Sequence, residues 1–230
     1  MVMNVLGLDT ATPATVAGVL RADGQAFERR DDPPPGERPA HGRRLLALVE
    51  QALGDAGLGW SDIARIAVGV GPGGFTGLRI GIATARGIAQ ARGIPLVAVG
   101  SLHALALGAA GSAPVLAALD ARRGEAFAAA WRAAGPAELG EPLLAPSALA
   151  PADLAEHVGT LSPAPLAVGD GAVRFRAQLE GAGATIPPDG EAVHRIRAVN
   201  VCRLGATGRL TDRDALLPDY LREPDASPRR

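Results

Sequence analysis

A glycine-rich run followed by a helix that is apolar on almost every side restricts the fold of this chain most strongly. The run reads Gly-Pro-Gly-Gly-Phe-Thr-Gly over residues 71–77, between a strand predicted at 65–70 and a helix predicted at about 76–92. A surface helix normally keeps one polar face, whereas isoleucines such as Ile80 and Ile82 occur on different sides of this one. The helix is therefore predicted to be buried on two sides.

Small residues recur at every fourth position of this helix, and they are Gly77, Gly81, Ala85 and Ala89. Such a ridge allows the backbone of another element to approach closely, because few side-chain atoms stand in the way. We predict that one side of the helix packs on a sheet and the other on a partner chain. The alternative is a helix that is buried entirely within its own chain.

The remaining pattern predicts two similar α/β halves. Each half opens with a hairpin whose first strand ends in an aspartate, Asp9 in one and Asp120 in the other, so we expect a duplicated unit with a cleft between the halves. The stretch 133–165 is rich in Ala and Pro and is predicted to hold at most one short helix, and Ser101 is predicted to cap a helix. The predicted strands are 2–8, 15–20, 25–29, 65–70, 96–99, 115–119, 125–131 and 166–168, and the predicted helices are 40–56, 76–92, 101–107, 151–157 and 193–210.

These halves give a predicted domain division of the 230 residues. The first domain covers 1–108, and the second covers 109–222, with the last helix free to pack back on the first half. The polar tail 223–230 is predicted to be disordered.

Two loops are candidates for binding phosphate. One is the Asp-Thr-Ala-Thr turn after the first strand, and the other is the glycine run at the start of a helix, where backbone N–H groups attract anions. The alternatives are an Asx-turn for the first loop and a tight strand-to-helix connection for the second. The candidate residues are Asp9, Thr10, Thr12, Gly71, Gly73 and Gly74.

Composition excludes several kinds of chemistry. All 23 basic residues are Arg, so the sequence has no Schiff-base lysine and no P-loop lysine. Cys202 is the only cysteine, and the four histidines lack metal-binding spacing. No apolar run reaches the roughly 18 residues of a membrane span, and the first residues do not resemble a signal peptide. The expected location is the cytoplasm.

Five segments of the sequence resemble the bacterial TsaB (YeaZ) family, and the resemblance extends over nearly the whole chain. The long, ordered glycine run makes the resemblance specific, and it implies an α/β fold of the actin, sugar-kinase and Hsp70 (ASKHA) type with two related subdomains. The segments are Leu-Gly-Leu-Asp-Thr-Ala-Thr at 6–12, the glycine run with Leu-Arg-Ile-Gly at 71–81, Ile-Pro-Leu-Val-Ala-Val-Gly-Ser-Leu at 94–102, Leu-Asp-Ala-Arg-Arg-Gly-Glu at 119–125 and Pro-Asp-Tyr-Leu-Arg at 218–222.

The resemblance implies a role in making N6-threonylcarbamoyladenosine at position 37 of tRNAs that read codons beginning with A. It implies a heterodimer with the catalytic paralogue TsaD, binding of the ATPase TsaE to that pair, and tRNA as the substrate of the complex. It implies no cofactor for the lone chain, with ATP and metal on the partner subunits. Whether the chain alone forms a homodimer stays open.

The resemblance also implies a non-catalytic part. The catalytic paralogue carries a metal-binding His-x-x-x-His pair after the strand that follows the glycine run, where this chain has Ser101 and Leu105. Neither side chain replaces an imidazole ligand. The family's helical dimer interface is expected on helices 40–56 and 76–92. Its candidate residues here are Leu45, Leu78, Ile82, Ala85 and Arg86.

Two other functions are weighed against this one. An independent ATP-dependent phosphotransferase or nucleotide-binding protein is favoured by the Asp9 turn and the glycine run, with Asp120 and Asp170 as further carboxylates. A peptidase has the least support, since neither a metal pair nor a nucleophile elbow is present.

Overall fold

A computed structural model describes residues 3–34 and 36–222, so the predicted tail at 223–230 lies outside the described residues. The first half contains a five-stranded sheet in the order β3-β2-β1-β4-β5. Strands β1 to β3 form the predicted antiparallel meander, and β1, β4 and β5 are parallel. The strands are β1 (Val5–Asp9), β2 (Thr15–Leu20), β3 (Ala26–Asp31), β4 (Arg65–Gly71) and β5 (Leu96–Gly100).

The helices of the first half lie close to their predicted positions. They are α1 (His41–Ala56), α2 (Phe75–Arg92) and α3 (Ser101–Leu107). Gly57 and Gly93 end the first two helices in the left-handed conformation, which glycine adopts without a steric penalty. The prediction that Ser101 caps α3 is wrong, because the cap position is Gly100 and no side chain caps the helix.

The second half contains a four-stranded sheet in the order β8-β7-β6-β9. Helices α4 to α6 lie beside this sheet, whereas α7 packs back on the first sheet. As in the first half, the opening strand pairs antiparallel with the next strand and parallel with a later one. The elements are β6 (Val115–Arg122), β7 (Glu125–Gly135), β8 (Glu138–Leu149), α4 (Pro151–Thr160), β9 (Leu166–Val168), α5 (Asp170–Arg174), α6 (Arg176–Gly181) and α7 (Ala198–Thr207).

The strand β8 lies in the stretch 133–165, which was predicted to hold at most one short helix. It lies at the edge of its sheet, none of its residues is fully buried, and Pro142 and Pro146 interrupt it. Proline is tolerated at a sheet edge, where its missing N–H is not needed for pairing. The alternation of apolar and polar residues that reveals a half-buried strand is therefore weak here.

Helices cover the first sheet on both faces. Residues of α1 and α2 pack with Leu6, Leu8 and Val68 on one face. On the other face, α7 contacts β1, β2 and β4, and α3 joins a core that continues into β6 and β7. The two halves therefore share buried apolar residues, while the domain boundary near residue 108 stays a prediction. Within the described residues, no helix is long and apolar enough to cross a membrane.

Candidate functional site

The Asp9 turn and the glycine run, predicted as separate phosphate loops, pack directly against each other. The Gly74 N–H donates a 2.7 Å hydrogen bond to the Ala11 carbonyl, and the Thr10 hydroxyl donates one of 2.8 Å to the Gly77 carbonyl. A Cβ atom at Gly73 would overlap the Ala11 backbone, so only glycine allows this approach. The glycines of the run are therefore needed for the packing of the two loops, whether or not they also contact a ligand.

Asp9 lies beneath this loop contact and does not line the cleft. Its side chain is buried, and it accepts hydrogen bonds from the Ser101 hydroxyl at 2.7 Å and from the Ala11 N–H at 2.8 Å. Burial raises the pKa of the Asp9 carboxyl from 3.8 to about 6, although both hydrogen bonds act in the opposite direction. The carboxyl thus ties β1 to α3.

A cleft of about 590 Å³ opens between the halves above this loop contact. Four of the six predicted phosphate-loop residues line it, namely Thr10, Thr12, Gly73 and Gly74. Gly71 does not, and a Cβ added there would meet the Asp219 carbonyl and the Leu78 side chain and not the cleft. The cleft thus combines hydroxyl groups and helix-terminal backbone from the first half with groups from the second.

The second half contributes two aspartates to the cleft. Asp120 forms a 2.7 Å ion pair with Arg174, and its backbone N–H donates a 3.0 Å hydrogen bond to the Asp170 carboxylate. Burial is the main cause of a raised pKa at Asp170. Both carboxylates are therefore engaged with groups of their own half.

Sequence reasoning did not find several residues of the cleft. His41 is buried at the start of α1, where its Nδ1 lies 2.8 Å from the Thr15 hydroxyl, and burial lowers the pKa of its imidazole. Tyr220 and Arg222 reach the cleft from the end of the described chain. The Pro-Asp-Tyr-Leu-Arg motif at 218–222 was the only signal of this last contribution.

The positions compared with the His-x-x-x-His pair are filled by core residues. Ser101 and Leu105 are both fully buried, and His103 between them stacks on the Trp131 ring at 5.2 Å between ring centroids. Burial lowers the pKa of His103. Over residues 3–34 and 36–222, no group of three or more His, Cys, Asp or Glu side chains is arranged to hold a metal ion.

The predicted partner interface needs correction. Leu45, Leu78, Ile82 and Ala85 are at most 4 % exposed and face the core of their own chain. The ridge lies inside as well: a Cβ at Gly81 would overlap the Thr10 hydroxyl. The ridge is therefore internal, because the Asp9 turn occupies the close approach that was assigned to a partner. The helix is nevertheless not buried entirely within its own chain, since Ala83 and Gly87 are exposed.

The outward face of α2 carries other residues. Arg86 is partly exposed and forms a 3.0 Å ion pair with Asp214. Ala83, Gly87 and Gln90 are exposed on this helix, and Leu46 of the adjacent helix α1 is 52 % exposed. The outer face of α1 and α2 therefore presents small and apolar residues among charged and polar ones such as Arg86 and Gln90.

Comparison with known sequences gives one family over more than half of the chain. A family model described as TsaD, tRNA N6-adenosine threonylcarbamoyltransferase, matches residues 34–156. An uncharacterised protein of Mycobacterium tuberculosis is 35% identical, and the match covers 99% of this chain and 95% of the mycobacterial protein. The Escherichia coli tRNA threonylcarbamoyladenosine biosynthesis protein TsaB is 38% identical, and the match covers 56% of this chain and 55% of the length of that protein.

Solved structures agree with the sequence comparison. YeaZ from Pseudomonas aeruginosa superposes with a TM-score of 0.77 and 26% identity, covering 95% of this chain and 100% of that one. A ROK hexokinase from Thermus thermophilus, at 14% identity, has a TM-score of 0.51 over 89% of this chain and 99% of its own. The second likeness concerns the fold alone, and it confirms the predicted ASKHA-type architecture.

Proposed function

The chain belongs to the TsaB (YeaZ) family, and from this premise we propose that it is a non-catalytic scaffold subunit in tRNA threonylcarbamoyladenosine biosynthesis. In this proposal the chain forms a heterodimer with a TsaD-like paralogue. The paralogue transfers the threonylcarbamoyl group to N6 of adenosine 37 in tRNAs that read ANN codons. A TsaE-like ATPase joins the pair, and ATP and metal act on the partner subunits.

The single observation that carries the proposal is the burial of Ser101 and Leu105. The catalytic paralogue is expected to place two metal-binding imidazoles at these positions. Here the Ser101 hydroxyl donates to the buried Asp9 carboxyl, and the fully buried Leu105 belongs to the core that both halves share. A hydroxyl committed to a carboxylate and an aliphatic side chain offer no comparable ligand pair.

The phosphotransferase alternative requires a carboxylate that is free to bind a metal or to accept a proton in the cleft. Asp9 lies beneath the cleft and is bonded to Ser101, and Asp120 is paired with Arg174. These contacts favour the scaffold over the phosphotransferase. Calorimetry of the lone chain with ATP and Mg²⁺ separates the two functions, since tight binding by the lone chain would favour the phosphotransferase.

The partner surface in this proposal is the outer face of α1 and α2, defined by Leu46, Ala83 and Gly87. Its residues are small or apolar and exposed, whereas the buried ridge of α2 is already covered by the Asp9 turn. Small side chains at Ala83 and Gly87 leave room for a helix of the paralogue to approach closely.

Substitution of Gly87 tests this surface. A Cβ at Gly87 meets no atom within 4 Å, so Gly87→Arg is expected to leave the fold intact while its side chain blocks a partner helix. We expect at least a tenfold loss of affinity for the paralogue in calorimetry. Gly159→Arg is the matched control, since Gly159 lies on α4 and its Cβ site is equally open. Unchanged affinity of Gly87→Arg would reject this surface.

Reconstituted tRNA modification tests the scaffold role separately. The lone chain with tRNA, ATP and the activated threonylcarbamoyl donor should yield no modified adenosine, and addition of the paralogue and the ATPase should give the product. Modification by the purified lone chain would end the proposal.

A further inference from the structure

The last described segment, residues 211–222, runs from the first half to the second and is called the strap. At its start, the Thr211 N–H donates a 2.8 Å hydrogen bond to the Leu96 carbonyl at the edge of β5. Leu216 is then fully buried in the core beneath α1 and α2, and Asp214 pairs with Arg86 on α2. The strap is thus anchored firmly in the first half before it reaches the cleft.

An aromatic contact holds the strap against the glycine run just before the strap ends. The Asp219 N–H donates a 2.7 Å hydrogen bond to the Val70 carbonyl at the end of β4. The Tyr220 ring stacks on Phe75 with 5.1 Å between ring centroids, and the Arg79 guanidinium lies 3.8 Å from the centre of the Phe75 ring. Arg79 also donates a 3.0 Å hydrogen bond to the Tyr220 hydroxyl.

The end of the strap is attached to the second half. Arg222 forms a 2.7 Å ion pair with Glu125, and its second nitrogen donates a 2.8 Å hydrogen bond to the Ala121 carbonyl. Both acceptors belong to the hairpin of β6 and β7, which carries one wall of the cleft. The Arg222 side chain is only 27 % exposed, so water competes with these bonds less than at an open surface.

We propose that the strap is a latch that sets the angle between the two halves and therefore the width of the cleft. Phe75 and Tyr220 hold the strap on the first half. The contacts of Arg222 with Glu125 and Ala121, called the clamp, hold the strap on the second half. The shared core at α3 keeps the halves joined when the clamp is released, so the expected motion is an opening of the cleft and not unfolding. The latch follows from these contacts alone and does not depend on the proposed function.

Distance measurements between spin labels on the two halves test the latch. Gln51→Cys on α1 and Glu156→Cys on α4 provide exposed labelling sites, and the native Cys202 is buried. We expect one narrow distance distribution in the parent chain. Arg222→Ala and Tyr220→Ala should broaden that distribution and shift its mean by several ångströms.

Two further variants make the result specific. Arg174→Ala removes an ion pair of the same length that lies within the second half, so its distribution should match that of the parent. Glu125→Gln removes the charge of the Glu125 partner of Arg222 and keeps its side-chain volume, so it should broaden the distance distribution less than Arg222→Ala does. Glu125→Gln also serves as the test if the Arg222→Ala variant fails to fold. Unchanged distributions in Tyr220→Ala and Glu125→Gln would overturn the proposal.

Discussion

The Ser101 hydroxyl donates a 2.7 Å hydrogen bond to the buried Asp9 carboxyl, joining the end of β1 to the first residue of α3. The two residues are 92 positions apart in the sequence. The contact places a titratable group under the loop pair that forms the cleft floor.

Asp9→Asn should remove part of the pH dependence of stability. Burial raises the pKa of Asp9 from 3.8 to about 6, so the folded state holds this proton more tightly than the unfolded chain. The contribution of Asp9 is fully present below pH 4 and is lost as the pH rises to about 6. The loss is about 3 kcal/mol.

The measurement is urea unfolding of the parent and Asp9→Asn between pH 4 and pH 7.5. Asp153→Asn, which changes an exposed carboxyl of α4, is the control and should follow the parent. An Asp9→Asn curve that declines with pH as steeply as the parent would contradict the assigned cause.

Ser101→Ala should destabilise the fold more at pH 7.5 than at pH 5. The substitution removes one of the two donors to the Asp9 carboxyl, and the charged form needs that donor more than the neutral form does. We expect a loss of about 1–3 kcal/mol at pH 7.5, by the usual cost of an unpaired buried group. Chemical unfolding at both pH values measures it, and equal losses would argue against an ionised Asp9 at pH 7.5.

Two glycines should respond oppositely to substitution by alanine. Gly87→Ala should stabilise the chain by roughly 0.5–1 kcal/mol, because its Cβ site on α2 is open and alanine favours a helix. Gly73→Ala should destabilise it by about 2 kcal/mol or more, since the new Cβ would overlap the Ala11 backbone. Thermal unfolding of both variants measures the contrast. A Gly73→Ala variant as stable as the parent would show that the loops can separate without cost.

The Cys202 thiol should not react in the folded chain. It is fully buried between α7 and β1, where a Cβ at Gly7 would overlap its sulfur, and burial raises its pKa to about 12. Because the thiolate is the reactive form, labelling by a thiol reagent at pH 8 should require unfolding. Labelling rates with increasing urea measure this, and rapid labelling in buffer alone would mean that α7 separates from the sheet.

Local patterns predicted most of the elements of this chain. The meander of β1 to β3, helices α1 and α2, and the strand that ends at Asp9 could all be read from the sequence, because periodicity and glycine positions act locally. The strand β6 continues past its predicted end at Asp120 to Arg122. The motifs also identified the family. The late helix proved shorter than predicted, with α7 covering Ala198–Thr207, and α5 and α6 gave no clear periodic signal.

The tertiary structure alone decided which apolar side of α2 is covered by its own chain. Periodicity shows that Ile82 and Ala85 are apolar, but it does not show what lies opposite them, which here is the chain's own core. Ser101 illustrates the same limit: its position suggested a helix cap, whereas its hydroxyl is used by Asp9. Burial and hydrogen bonding depend on residues distant in sequence, and only the packed chain brings those residues together.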